Sequence, residues 1–501
     1  MPEEVKNNQN KLILDRKSKL ESIKNKNINP YPYTFKYTKK SEQIKEKNKG
    51  IKPEEQTKDT ESVAGRIILF RRMGKVCFLT IKDDVGELQL YLRKDDIGEK
   101  YDHIKDFDIG DWIGATGTIF RTKMGEITLQ TKDFQMLCKA TRPLPDKFHG
   151  IHDTEIRYRK RYLDLITNSK AKEILKKRAL LMKYIREFLN EKGGLEVETP
   201  ILHPIYGGAA AKPFKTFHNE LKMDLFLRIS PELYLKKLIV GGFEFVYDIN
   251  KNFRNEGVDT THNPEFTMLE LYKAYADYND MMKITEELYE YVAIKLNGST
   301  KSNFRGNEID FKAPWKRVKM LDAIKEYAGI DAENMDMEQL ELFVKEKRIP
   351  FENEPSWGNY VLAVFEHYCE DKFTQPTFVI DHPKESTPLC KQHREDSRLI
   401  ERFEPFCCGI ELANAYSELN DPVHQRKLLE DQQRQLSEGN EEANPLDEDF
   451  LEAIETGMPP TGGLGIGIDR MAMLVLGQES IRDVILFPLM KPQEEKNEDK
   501  K

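Results

Sequence analysis

Phe253-Arg-Asn-Glu-Gly-Val-Asp-Thr-Thr-His-Asn-Pro-Glu-Phe-Thr-Met-Leu-Glu-Leu-Tyr272 decides how the larger part of this chain is built. An apolar run closes at Phe253, a polar loop containing Gly257 follows, and a strand-like run returns from Phe266, the pattern of two strands joined across a loop. Such a hairpin brings Arg254 and Glu256 close to Phe266. Further strand-like runs start at Phe378 and at Arg402, hairpin-like pairs recur, and strands do not alternate strictly with helices. The pattern predicts an α+β domain built on an antiparallel β-sheet flanked by helices rather than a doubly wound parallel sheet.

Working outward, residues 171–190 put Ile174, Leu181, Ile185 and Phe188 on one helical stripe, which Gly193-Gly194 ends. Helical spacing returns at 277–296 and in a charged segment reaching about 349, and a final helix starts near Asp469. Upstream the texture changes. Val63–Phe70, Val76–Lys82, Glu87–Arg93, Trp112–Arg121 and Glu126–Gln130 read as short strands separated by turns, which suggests a small all-β barrel. The run Arg142-Pro-Leu-Pro-Asp146 reads as a linker. Residues 1–60, lysine- and asparagine-rich and interrupted by Pro30, Pro32 and Pro53, read as a largely flexible basic arm with a helix near Leu12–Ile23.

Composition limits the choices. The 501 residues are 39% hydrophobic and 33% charged, which fits a charge-rich globular chain of two to four domains. No stretch approaches the roughly 20 apolar residues of a membrane span. The opening Met-Pro-Glu-Glu-Val-Lys has no apolar signal core, so a cytoplasmic location is expected. Six cysteines without CxxC spacing support neither a zinc site nor a disulfide framework. Residues 1–60 carry 15 Lys/Arg against 9 Asp/Glu, a balance of +6, which leaves −14 for the rest of a chain whose net charge is −8. A basic arm on an acidic body suits an acidic polymer met locally, and equally a solvated tail.

Strand alternation gives the barrel two faces. Cys77, Leu79 and Ile81, with Leu88, Leu90 and Leu92, form the apolar set, which sends Phe78, Thr80, Gln89, Tyr91 and Arg93 outward. A stacking ring, a base-edge amide and a cation on one face are what single-stranded nucleic acid requires. The alternative is that Phe78 packs under a loop.

Three further groups could carry chemistry. Thr461-Gly-Gly-Leu-Gly-Ile-Gly-Ile-Asp-Arg470 is not a GxGxxG loop, yet its glycines permit close backbone approach and Arg470 adds a cation near a helix start, a setting for phosphate. In the opening hairpin, Arg254 could hold a phosphate bidentately while Phe266 stacks on a purine. The carboxylates Glu404, Glu411 and Glu418, with Asn414, lie among Phe403, Phe406, Ile410 and Leu412, and carboxylates in such places are usually paired with a cation or a metal. Alone, each group also admits a purely structural reading: a turn, a polar hairpin tip, surface acids.

Together, in this order after a barrel, they resemble the three motifs of the class II aminoacyl-tRNA synthetases. The first motif is matched by the 171–190 helix with Gly193-Gly-Leu-Glu-Val-Glu-Thr-Pro200, the second by Phe253–Glu256 with His262-Asn-Pro-Glu-Phe266, and the third by Gly463–Arg470. The lysine-specific branch is indicated by Gly207-Gly-Ala-Ala-Ala-Lys-Pro-Phe214, Ser230-Pro-Glu-Leu-Tyr-Leu-Lys236, Glu270-Leu-Tyr272 and Asn414-Ala-Tyr-Ser-Glu418. The resemblance implies a flexible arm at 1–60, an OB-fold anticodon-binding domain at 61–142, a class II catalytic domain at 143–490 and a charged tail at 491–501.

It also implies ATP-dependent activation of L-lysine and transfer to the 3′ end of tRNA(Lys) by a homodimer joined through the 171–190 helix and Val197–Pro200. By resemblance, Glu232 receives the substrate α-ammonium, Arg254 its carboxylate and the ATP α-phosphate, and Glu270, Tyr272 and Glu418 the ε-ammonium, with Asn414 and Tyr416 in the same pocket. Arg254 and Arg470 are the catalytic cations. Glu256, His262, Asn263, Phe266 and Arg470 match ATP contacts, Glu404 and Glu411 the Mg²⁺ ligands, and Phe78, Gln89 and Glu126 the anticodon contacts. Thr261 departs from the many class II enzymes with arginine there, so a γ-phosphate grip must come from elsewhere. The alternatives are an aspartyl- or asparaginyl-specific enzyme of the same architecture and a catalytically dead nucleic-acid-binding relative.

Overall fold

The computed structural model describes residues 3–145, 151, 153–351 and 354–493. The expected tail lies outside the described residues from 494 onward, as does Asp146 at the end of the expected linker. The chain divides into two compact units, residues 1–152 and 153–501.

In the first unit, β1 (Gln56–Met73), β2 (Val76–Lys82), β3 (Glu87–Arg93), β4 (Trp112–Arg121) and β5 (Ile127–Cys138) close into a barrel in the order β1-β2-β3-β5-β4. Only β3 and β5 run parallel. Burial along β2 and β3 alternates as the sequence requires: Cys77, Leu79, Ile81, Leu88, Leu90 and Leu92 fill the interior. Gly117 sits at a register shift in β4, and a Cβ there would lie 1.9 Å from the Gln130 carbonyl oxygen, so the close strand approach needs glycine.

The flexible arm is the expectation that the structure corrects. Residues 3–60 contain α1 (Glu3–Asn25), α2 (Ser41–Lys47) and the start of β1. The segment has few apolar residues, but Ile23 and Ile44 both enter the barrel core. The Arg16 guanidinium donates to the carbonyl oxygens of Ile109, Ala140 and Arg142 at 2.9, 3.3 and 3.2 Å. Much of the arm's positive charge is spent on acids of its own unit: Lys26 meets Asp106 at 2.6 Å, and Lys39 and Lys47 meet Glu61 at 2.8 and 2.9 Å. Sparse apolar residues that reach a core can order a segment that lacks a periodic face of its own.

The second unit begins with short helical turns and α3 (Ser169–Glu191), capped by the Asn168 side chain, which accepts from the Ala171 N–H. Leu181, Ile185, Phe188 and Leu189 are buried in the core of this unit, so the stripe expected at a dimer interface is largely used within the chain itself. Next come β6 (Leu195–Glu196), α4 (Glu232–Val240), β7 (Phe245–Phe253), β8 (Glu265–Ala274) and α5 (Tyr278–Asn297). They are followed by β9 (Lys316–Lys319), β10 (Thr377–Pro383), β11 (Leu399–Cys407), β12 (Ile410–Glu411), β13 (Asn414–Ser417), β14 (Thr461–Gly467) and α6 (Ile468–Val475).

One sheet runs β9-β10-β11-β13-β14-β8-β7-β6, with β12 paired to β11. Every pair is antiparallel except β9–β10 and β7–β6 at its two ends, so the expected architecture holds with parallel pairings only at the margins. Asp469 ties α6 to the hairpin: it accepts from the Thr267 N–H at 2.8 Å and from Arg178 at 2.5 Å. The charged segment before residue 349 forms two short helices, Met320–Tyr327 and Met337–Lys347, that pack into a separate apolar cluster.

Candidate amino-acid and nucleotide site

The sheet register builds a trough. Gly465 of β14 lies between Glu270 of β8 and Asn414 of β13, and Gly463 lies between Tyr272 and Tyr416. Residues two apart share a face, so Glu270 and Tyr272 join Asn414 and Tyr416 on one side of the sheet. A Cβ at Gly463 would sit 1.9 Å from Glu418 Oε1 and 2.6 Å from Tyr272 Cε1. The glycines of this strand therefore make room for neighbouring side chains over the sheet.

Above the trough α4 supplies Glu232 and Lys236. Glu232, Glu270, Tyr272 and Glu418 are 4%, 3%, 3% and 1% exposed. Ser230 Oγ donates to Glu270 Oε1 at 2.7 Å and the Tyr272 hydroxyl to Oε2 at 3.3 Å. Both partners are neutral; burial, together with the negative charge of Glu232, pushes Glu270 up to about 8. Lys236 is fully buried, 2.6 Å from Glu232 Oε1 and 2.5 Å from Glu418 Oε2. Burial works to lower the Lys236 pKa, but the two carboxylates hold it above its ordinary value. Burial likewise raises Glu418 against the pull of Lys236. The acidic pocket thus carries its own cation.

The hairpin closes as expected, with Asn252 opposite Phe266 and the Arg254 N–H donating to the Pro264 carbonyl. The Arg254 guanidinium lies over the Phe266 ring, 5.1 Å from its centroid, and its Nε is buried with no hydrogen-bond partner. Glu256 is exposed on the loop. Asn263 is turned toward the backbone of Glu265 and Leu489. Arg470 bridges two other predicted residues, reaching Glu411 Oε2 and His262 Nε2 at 3.0 Å each, while His262 Nδ1 meets Asp259 at 2.9 Å. Thr261 donates to Asp259 and bears no charge of its own.

Glu404 pairs with Arg402, which also donates to Asn414 Oδ1 at 3.1 Å. Burial, opposed by Arg402 and aided by Glu411, pushes Glu404 up to about 7. Glu370 extends the same negative patch and is itself pushed to about 7, by burial and then by Glu366, Glu404 and Glu411. Hard carboxylate oxygens suit Mg²⁺, which is usually held by one or two carboxylates together with substrate phosphates. Among the described residues no three His, Cys, Asp or Glu side chains are grouped to hold an ion by themselves. Glu404 and Glu411, near enough for Glu411 to raise Glu404, are donors of the kind that suits an ion arriving with phosphates.

On the barrel, Phe78, Tyr91 and Phe120 form an aromatic row with centroid separations of 5.0 and 5.8 Å. Gln89 accepts from Thr128 Oγ1 at 2.9 Å, and Glu126 is exposed at the nearby turn. Sequence reasoning passed over Lys236 and Arg402. Their signals were present: Lys236 is one helical turn from Glu232, and Arg402 is two strand positions from Glu404.

Residues 153–491 match a family described as tRNA synthetases class II (D, K and N), and residues 61–137 match the OB-fold nucleic acid binding domain. The chain is 51% identical over 489 residues to a Clostridium novyi protein named lysine–tRNA ligase, spanning 96% of this chain and 95% of the relative. A Clostridium perfringens protein of the same name is 49% identical over 484 residues, spanning 95% and 96%. One from Clostridium botulinum strain Hall is 49% identical over 490 residues, spanning 97% and 96%.

Proposed function

The chain belongs to the class II tRNA synthetases (D, K and N), and we propose that it activates L-lysine with ATP and transfers the lysyl group to the 3′ end of tRNA(Lys). The observation that carries this reading is the buried acidic pocket of Glu232, Glu270 and Glu418. A substrate with two ammonium groups matches it, whereas an aspartyl side chain would require cations in place of Glu270 and Glu418.

The substrate carboxylate is already ionised near neutral pH, so its attack on the ATP α-phosphorus, which forms lysyl-adenylate and breaks the α–β bridge to expel pyrophosphate, needs no general base. Catalysis is then positioning and charge neutralisation. Arg254 orients the carboxylate against the α-phosphate and spreads its cation over Phe266, the surface offered to the adenine. Arg470 releases Glu411 and His262 to take phosphate, which supplies the cation that Thr261 lacks. Glu404 and Glu411 would hold Mg²⁺, which when bound neutralises charge on the phosphates. Glu232 receives the α-ammonium, and Glu270, Tyr272 and Glu418 receive the ε-ammonium, with Asn414 and Tyr416 completing the wall. Glu256 and Asn263 are assigned to the nucleotide. In the second step a ribose hydroxyl at the tRNA end attacks the lysyl-adenylate carbonyl and AMP leaves.

Phe78, Gln89 and Glu126 are assigned to the anticodon. A homodimer is part of the reading; the exposed Leu195, Ile201, Leu202 and Phe217, which follow α3, support a contact on that side. No helix among the described residues is long and apolar enough to cross a membrane, and we place the reaction in the cytoplasm with the rest of translation. ATP–pyrophosphate exchange with each of the 20 amino acids tests the assignment. Exchange with lysine alone is expected; exchange as fast with aspartate or asparagine, or none at all, overturns it.

A further inference from the structure

Resting on that reading, the pocket contains one charge that the substrate does not need to touch. Lys236 is 0% exposed, yet its Nζ takes one oxygen from Glu232, at 2.6 Å, and one from Glu418, at 2.5 Å. It occupies the place an ammonium would take between two carboxylates. Both oxygens of Glu418 are buried without a hydrogen-bond partner, Oε2 making the ion-pair contact with Lys236 and Oε1 none, and among the described residues Glu270 has only the neutral donors Ser230 and Tyr272. When all are ionised, as around a bound dication, three carboxylates and one lysine balance at −2; in the free pocket burial and Glu232 keep a proton on Glu270 at neutral pH. Lysine brings two ammonium groups, while its carboxylate is assigned to Arg254.

We propose that Lys236 is a specificity-determining positioning residue: by pairing with Glu232 and Glu418 it sets the charge of the fully ionised pocket at −2, the number that a dicationic amino acid balances, and keeps Oε1 of Glu418 available to it. Without Lys236, three carboxylates would share one closed space. Buried like charges take up protons rather than remain ionised together. A pocket that had taken up a proton beyond the one on Glu270 would have to release that one as well before lysine could bind.

Among the described residues, the groups facing these carboxylates do not supply another compensating cation at contact distance. Tyr272 and Tyr416 are phenols whose ionisation burial suppresses, and Cys390 is a thiol raised in the same way. Arg228, which acts on Glu270 from a distance, is committed to Asp248 at 3.0 Å. Arg402 is committed to Glu404.

The test compares Lys236→Met with Lys236→Arg in the full-length protein. Lysine binding is measured by calorimetry at pH 7 in buffers of different ionisation enthalpy, which yields the number of protons released. Lys236→Met is expected to bind lysine at least tenfold more weakly and to release about one proton more per lysine than the wild type. Its affinity should also rise more steeply with pH. Lys236→Arg, which changes the packing but keeps the charge, should match the wild-type proton count. Equal proton counts and equal pH profiles for the two variants would overturn the proposal and leave Lys236 a packing residue.

If Lys236→Met does not fold, the double variant Glu232→Gln/Lys236→Met removes one carboxylate with the cation. Folding of the double variant supports the charge balance, and its failure to fold overturns it. A wild-type protein that does not bind lysine would instead refute the assigned substrate.

Discussion

Replacing Glu270 by Gln should have opposite effects on stability and on activity. Glu270 is 3% exposed, its hydrogen-bond donors are neutral, and its pKa rises from the ordinary 4.5 to about 8. An acid whose folded pKa lies above its unfolded one keeps a proton in the folded protein that the unfolded chain gives up. Stability is therefore lost as pH rises from 4.5 toward 8. At about 1.4 kcal/mol per pH unit, that interval amounts to up to about 3 kcal/mol at pH 7. Gln carries no such cost, so ligand-free Glu270→Gln should gain up to that amount at pH 7 and show little difference at pH 5.

The substrate ε-ammonium, however, loses a buried charged partner, which should cost about 2 to 5 kcal/mol in kcat/KM for lysine. In the wild type, lysine must displace the Glu270 proton, so Kd should tighten roughly tenfold from pH 6 to pH 7. Urea unfolding of both proteins at pH 5 and pH 8, with lysine-dependent ATP–pyrophosphate exchange, measures both effects. A stability difference independent of pH, or exchange altered less than threefold, would remove Glu270 from the role given to it.

Phe78→Ala should lose base stacking worth about 1 to 3 kcal/mol and slow tRNA charging while leaving exchange untouched, since exchange requires no tRNA. Loss of exchange would make Phe78 a structural strut instead. Gly463→Ala forces a Cβ against Glu418 Oε1 and Tyr272, at a cost of about 1 to 3 kcal/mol, and KM for lysine should rise more than KM for ATP. Sedimentation equilibrium at nanomolar concentration should give twice the mass of the chain, and Leu202→Asp should shift it toward the single chain. A fully active single-chain species would contradict the dimer.

Local rules carried the sequence a long way. In the barrel, period-two alternation alone assigned Cys77, Leu79 and Ile81 inward and Phe78 outward, because a strand buried on one face leaves no other register. The loop between Phe253 and Phe266 marked a hairpin through its own turn chemistry, and the stripe from Leu181 to Phe188 marked a helix that buries one side. These are properties of neighbouring residues, which is why they are legible before folding. Resemblance then added roles that no spacing could supply.

Tertiary structure decided what depends on residues far apart in the chain. The arm looked flexible because it has no repeating apolar face; it is ordered because Ile23 and Ile44 enter a core made by other strands and Arg16 caps distant carbonyls. Gly463 looked like one more glycine of a ligand cradle, and only the register of β8, β14 and β13 revealed it as clearance for Glu418 and Tyr272. The sequence counted three acids in the pocket and missed the cation among them. A helical turn brings Lys236 to Glu232, but only the folded sheet carries Glu418, 182 residues on, to within 2.5 Å of the same ammonium. Coulomb energy depends on separation in space, and the sequence records only separation along the chain.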